Sequence, residues 1–169
     1  VGTPEQARNI VDFTKFAPVG KRGANGGRGP RWGAYGSYVQ EANDNSLVIA
    51  QCESLEGLEN VEKIAATPGL DAIFIGTGDL SLEMGVKFKA DASANHTVDT
   101  PEMVAAIDRI LAACKANNVI PGIVTASAED AARRIRQGFQ LVTCMNDLGF
   151  FRSRTNQHIQ TVRQLVPGE

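Results

Sequence analysis

Four short apolar runs, each followed by a segment of helical pattern, constrain this chain more than any other feature. Leu47–Cys52, Ala72–Ile75, Val119–Val124 and Leu141–Cys144 are nearly continuous in apolar residues, as expected of strands covered on both faces. The segments alternating with them are Gly57–Ala66, Pro101–Asn117, Ala128–Gln137 and Gly149–Leu165. In the first, Leu58, Val61, Ile64 and Ala65 share one face; in the second, Met103, Val104, Ile107, Ile110, Leu111 and Cys114 do. Strands joined through helices pair in parallel, so a parallel α/β sheet is expected. Upstream, Thr3-Pro4-Glu5 reads as a helix start, with Thr as the cap, Pro in the first turn and an acid beside it. That helix runs to about Phe16, and a short helix is expected over Tyr35–Asn43.

Four parallel strands with their helices make half of a (β/α)8 barrel, a fold that takes roughly 250 residues. The chain has 169 residues and opens on a helix, as if cut after a strand. An isolated half would leave two sheet edges and an apolar inner face uncovered. The expectation is a single domain over residues 1–169, the C-terminal part of a barrel completed by further sequence or by another chain. An open doubly wound sheet is the alternative that the same pattern allows.

Composition narrows the function. With 43% hydrophobic residues the chain is no disordered segment, and a net charge of −2 gives no basic excess for nucleic acid or an anionic membrane. No apolar run approaches the roughly 20 residues that span a bilayer. No signal peptide is evident, and Val1 in place of Met reads as a processed start or a fragment boundary. Cys52, Cys114 and Cys144 are odd in number and lack metal-finger spacing. Two fall in expected strands and one in a helix, where cysteine is a small buried hydrophobe, and a reducing cytoplasm is the matching compartment.

Two carboxylates stand just past strand ends. Glu53 closes Leu47–Cys52, and Asp79 follows Ala72–Ile75 through Gly76-Thr77-Gly78. Chemistry in parallel barrels is assembled at the C-terminal ends of the strands. Two acids delivered there by neighbouring strands form half of an oxygen-rich site for a divalent metal. Gln51 belongs to the same strand end and is placed to orient a ligand or a metal-bound water. Read singly, Asp79 is equally a cap for a short helix, and Glu53 an acid at a helix entry.

Gln51-Cys52-Glu53-Ser54, Gly76-Thr77-Gly78-Asp79-Leu80-Ser81, Ala42-Asn43-Asp44, Pro68-Gly69-Leu70-Asp71 and Pro121-Gly122-Ile123 together resemble the HpcH/HpaI family of metal-dependent 2-keto-acid aldolases. The two acids lie 26 residues apart, as in that family, and the similarity runs from about Thr3 to the final helix. The resemblance implies a (β/α)8 TIM barrel of the phosphoenolpyruvate/pyruvate type, about four of whose strands are present. It also implies Mg²⁺, Mn²⁺ or Co²⁺ held by Glu53 and Asp79, with water and a 2-keto acid in the remaining positions. Such a hard cation acts as a Lewis acid toward the enolate of pyruvate. Gly78, lacking a side chain, would let its N–H approach a substrate oxygen. Arg22, with Arg28, resembles the family's R-G loop over the active-site mouth, here the Gly/Arg-rich stretch 17–34, and would meet an anionic substrate.

The departures matter as well. The family's base, a His in a D-G-E-H-like segment, and its keto-acid arginine have no counterpart in this sequence. No catalytic residue is therefore assigned to this chain, and the base is expected from the N-terminal half. His96 and His158 are read as exposed, and Arg133, Arg134 and Arg136 as a solvated helix face. Phe150 and Phe151 on the terminal helix (149–166) are read as anchors for a neighbouring subunit of a homo-oligomer, or as packing of the chain's own barrel. The implied activity is cleavage of a 4-hydroxy-2-keto acid to pyruvate and an aldehyde. Alternatives are a related enolate-forming lyase acting on a coenzyme A thioester or oxaloacetate, and a non-catalytic half-barrel assembly module.

Overall fold

The computed structural model describes residues 1–25, 28–29, 35–86 and 99–166. Helix α1, Pro4–Thr14, begins as its sequence dictates: the Thr3 hydroxyl accepts from the Gln6 N–H and Pro4 occupies the first turn. It ends where Lys15 turns extended. After α2 (Tyr35–Ala42), β1 spans Ile49–Cys52. The helix expected over 57–66 is two, α3 (Leu55–Glu59) and α4 (Val61–Ala65). Asn60 breaks it, its amide donating both to the Glu56 carbonyl and to the Gly2 carbonyl. Strand β2 is Ala72–Ile75, and α5, Thr77–Glu83, follows at once. Then come α6 (Pro101–Ala116), β3 (Ile120–Ile123), α7 (Ala128–Gln137), β4 (Leu141–Val142) and α8 (Asp147–Leu165). Strand β4 is shorter than its apolar run because Met145, at φ 64°, turns the chain out of the sheet and bonds the Thr125 carbonyl. Cys144 consequently lies outside the strand and is exposed, contrary to expectation.

The four strands are parallel and lie in the order β1-β2-β3-β4. Right-handed crossovers that always step the same way return every helix on one face. A doubly wound sheet needs a reversal of strand order, and none occurs among the described residues. The helix-side row, Ala50, Cys52, Ile73, Ile75 and Ile123, is buried against Val11, Val61, Ile64, Leu80, Ile107, Ile110 and Cys114. The opposite row aligns Gln51, Phe74, Gly122 and Leu141 in register. Beyond it, past the strand ends, Glu53, Gly76, Val124 and Thr143 continue the same faces. Gly122 is small for a steric reason: a Cβ there would meet Phe74 Cδ2 at 2.6 Å.

Polar side chains lock the other ends of the strands. Buried Lys15 donates to the carbonyls of Asn43 and Ser46 and lies 3.8 Å from Asp71. Asp71 in turn accepts from the Val48 N–H at 2.7 Å. The Asn43 amide pairs with both backbone groups of Phe16, accepting at 2.7 Å and donating at 3.0 Å. Arg134 corrects the expectation of a solvated face: it is 1% exposed. With Ala131 it forms the buried side of α7, and its guanidinium reaches Asp99, Asp130 and Gln137. Arg133 bridges Asp99 and Asp130 in the open, and Arg136 is exposed. Helix α8 buries none of its residues, and Phe150 and Phe151 are both exposed.

Two outcomes follow from this packing. Gly122→Ala should cost about 1–3 kcal/mol by overpacking against Phe74, and Phe74→Leu added to it should recover part of the loss in thermal melts. An unchanged Tm for Gly122→Ala would refute the close contact. Lys21 and Arg8, which both bond Asp12, hold its carboxyl below the ordinary value. Its contribution to stability is therefore complete above the unfolded value of about 3.9 and lost as pH falls through the lower native one. Asp12→Asn should flatten that acid limb of the stability curve.

Candidate active site

Residues two apart on a strand share a face, so Gln51 and Glu53 project together from the end of β1 on the side away from the helices. The Gln51 amide Nε2 donates to Glu53 Oε2 at 2.6 Å. Gln51 is exposed and Glu53 half-buried. On neighbouring β2, Gly76 follows Ile75 at the matching level, and this pair of side chains lies against its bare Cα. Asp79 is in the first turn of α5, exposed, and makes no hydrogen bond or ion pair among the described residues. It is inside the helix and not a cap; the cap position is Gly76, which offers no side chain. Gly78, between them, accepts from the Ser81 hydroxyl at 2.8 Å through its carbonyl. Its N–H, in the first helical turn, has no partner within the helix.

Two contacts tie the acid-bearing segments together. Glu83, at the end of α5, accepts from the Leu55 N–H at 2.7 Å, two residues past Glu53. The Gly76 N–H bonds the Cys52 carbonyl at 3.0 Å, extending the β1–β2 ladder to the level of Glu53. Gly76 enters the sequence reading only as part of the Gly76-Thr77-Gly78-Asp79 motif, and Glu83 carries no signal there. On the far strands the Thr143 hydroxyl accepts from the Thr125 N–H at 3.3 Å, and buried Thr125 donates to the Thr143 carbonyl.

Arg22 is engaged elsewhere. Its guanidinium donates to the Tyr38 hydroxyl at 2.9 Å and lies 4.7 Å from the Phe16 ring centroid and 5.7 Å from that of Tyr38. Arg28 is exposed, as is His158 on α8. His96 and residues 26–27 and 30–34 of the 17–34 loop lie outside the described residues.

The donor set is oxygen-only. Among the described residues no cluster of three or more His, Cys, Asp or Glu is placed to hold a metal. The two candidate ligands that the sequence singles out, Glu53 and Asp79, are both carboxylates, a chemistry that suits a hard octahedral cation and not a tetrahedral thiolate site. Cys52 neighbours Glu53 in sequence but points to the helix side, where burial raises its thiol to about 11. Burial likewise raises Cys114 to about 12. Both stay protonated and inert at neutral pH. Iodoacetamide at pH 8 should thus modify Cys144 alone in the native protein and all three thiols in denaturant. Native labelling at Cys52 would contradict this burial.

A family model described as HpcH/HpaI aldolase/citrate lyase matches residues 1–153. The hydroxypyruvate/pyruvate aldolase of Chromohalobacter salexigens is 39% identical over 156 residues, which are 90% of this chain and 58% of that protein. The 5-keto-4-deoxy-D-glucarate aldolase of Escherichia fergusonii is 37% identical over 158 residues, 93% of this chain and 59% of that one. The chain therefore spans less than two thirds of the length of the curated relatives it matches. Among solved structures, an HpcH/HpaI aldolase/citrate lyase family protein from Burkholderia cenocepacia aligns with a TM-score of 0.84 at 34% identity, over 96% of this chain and 62% of that one. The HpcH/HpaI aldolase from Desulfitobacterium hafniense aligns with a TM-score of 0.85 at 26% identity, over 99% and 62%.

Proposed function

This chain belongs to the HpcH/HpaI aldolase/citrate lyase family and has the fold of part of its (β/α)8 barrel, and from that premise we propose that it carries the metal-binding side of a carbon–carbon lyase. The reaction is reversible cleavage of a 4-hydroxy-2-keto acid to pyruvate and an aldehyde. The observation that supports this most directly is the Glu53 carboxylate, held by Gln51 at the end of β1, with exposed Asp79 following the adjacent strand.

Glu53 and Asp79 would hold Mg²⁺, Mn²⁺ or Co²⁺. When bound, such an ion supplies Lewis-acid stabilisation of the negative charge that builds on the keto oxygen. Glu53 meets this task already oriented, so little reorganisation is needed when charge develops. The Gln51 amide spends a donor on Glu53, which leaves its carbonyl oxygen to accept from a water or a substrate hydroxyl. Gly78 presents an N–H without a side chain in the way, suited to a keto-acid oxygen. Below them, on the same inner face, Phe74 lies over Gly122.

No base is assigned within this chain; His158 is exposed on α8. The aldehyde partner is left unassigned. Assembly enters the proposal through α8, none of whose residues is buried among the described residues and which leaves Phe150 and Phe151 exposed, open to a second copy or to the rest of a barrel. No helix among the described residues is long and apolar enough to cross a membrane.

With the barrel complete, pyruvate release from a 4-hydroxy-2-keto acid should require Mn²⁺ or Mg²⁺ and vanish with a chelator. Glu53→Ala and Asp79→Ala should each lower kcat/KM by about 100-fold or more. Turnover indifferent to the chelator and to both substitutions would overturn the proposal.

A further inference from the structure

The space beside Glu53 exists only because residue 76 is glycine. A Cβ built on Gly76 would lie 2.8 Å from Glu53 Cβ, 2.9 Å from Gln51 Nε2 and 2.9 Å from Glu53 Oε2. The first of these contacts cannot be relieved by a rotamer change, because Glu53 Cβ is fixed to the backbone of the neighbouring strand. The other two can be relieved only by swinging the amide and the carboxylate away, which breaks their 2.6 Å bond. Backbone strain plays no part: Gly76 has φ −85°, which an alanine adopts freely. Conformational freedom is therefore not the reason for glycine here; side-chain space is.

We propose that Gly76 and Gln51 are positioning residues for Glu53: Gly76 opens the recess into which the carboxylate folds, and the Gln51 amide holds it there. This deepens the reading of Glu53 as a metal ligand and rests on it. Three constraints meet on one carboxylate. The pleat puts Gln51 and Glu53 on the same face, the parallel register brings Gly76 alongside, and the amide pins one oxygen. The second carboxylate oxygen is left to face the ligand. A ligand held in this way loses little rotamer entropy on binding an ion, since that entropy was lost when the chain folded. Asp79 has no such support among the described residues, so affinity in this pair of carboxylates depends chiefly on how well Glu53 is oriented.

The test is Mn²⁺ alone, titrated by calorimetry into the purified protein, with thermal melts of every variant. Glu53→Ala is measured alongside to check the metal reading itself and should abolish binding. Gly76→Ala and Gln51→Met should each weaken Mn²⁺ by about 10-fold or more while the melts show a folded protein. If Glu53→Ala abolishes binding but folded Gly76→Ala and Gln51→Met bind Mn²⁺ as tightly as the parent, the positioning role is wrong and the metal site stands. Retention of binding by Glu53→Ala would remove the metal reading and this proposal with it. If Gly76→Ala fails to fold, Gln51→Met decides, since it removes the amide without adding bulk against β2: weaker binding supports the held carboxylate, and unchanged binding overturns it.

Discussion

The whole arrangement depends on a sheet that advances in one direction. Each strand pairs with the next on the same side, so every connecting helix returns to the same face and the two faces of the sheet acquire different tasks. The helix side takes the apolar burial, from Val11 and Ile64 to Ile110 and Ile123. The other side is relieved of that duty and can carry Gln51 and Glu53 at a strand end without disturbing a core. β1 and the residue after it thus give Ala50 and Cys52 to the core, and Gln51 and Glu53 to the opposite face, where the site is proposed.

The two ends of the sheet differ as sharply as its faces. At the ends where β1 and β2 begin, polar groups are consumed by one another: Lys15 with three carbonyl or carboxylate partners, Asp71 with Val48, and Asn43 with both backbone groups of Phe16. A buried lysine is tolerable only with such complete pairing. At the ends where they finish, the acids remain accessible, and Asp79 makes no polar contact among the described residues.

Much of this was legible beforehand, for physical reasons that can be named. Ala72–Ile75 and Ala128–Gln137 match the observed elements to the residue because an apolar run and a capped amphipathic segment each carry their own boundaries. Glu53 could be placed at a strand end because it terminates an apolar run, whereas Asp79, set off from its strand by Gly76-Thr77-Gly78, lies in the first turn of α5. What escaped is what depends on contacts across the chain. Arg134 reads as surface in any helical pattern, and only Asp99, 35 residues away, with Asp130 and Gln137, makes its burial affordable. The break at Asn60 depends on the carbonyl of Gly2, 58 residues distant. Cys144 looked like strand because Leu141-Val142-Thr143 precedes it, whereas the backbone at Met145 decides where β4 stops.

Glycine shows the limit most clearly. Gly76 and Gly122 could be read from sequence as turn formers or as gaps in strands, yet neither has a backbone conformation closed to other residues. Both are small because of a neighbour's side chain: a carboxylate and its amide against one, an aromatic ring against the other. Those neighbours are themselves on adjacent strands, so the need for a missing side chain appears only after the register is known. Parallel pairing converts a one-residue shift into a reversal of faces. A slip of β2 against β1 by one position would set Ile75 or Thr77, according to its direction, at the level of the carboxylate in place of Gly76 and close the recess. The site is therefore specified by the register of one strand pair, and the apolar alternation that fixes that register on the helix side also fixes where Glu53 can stand.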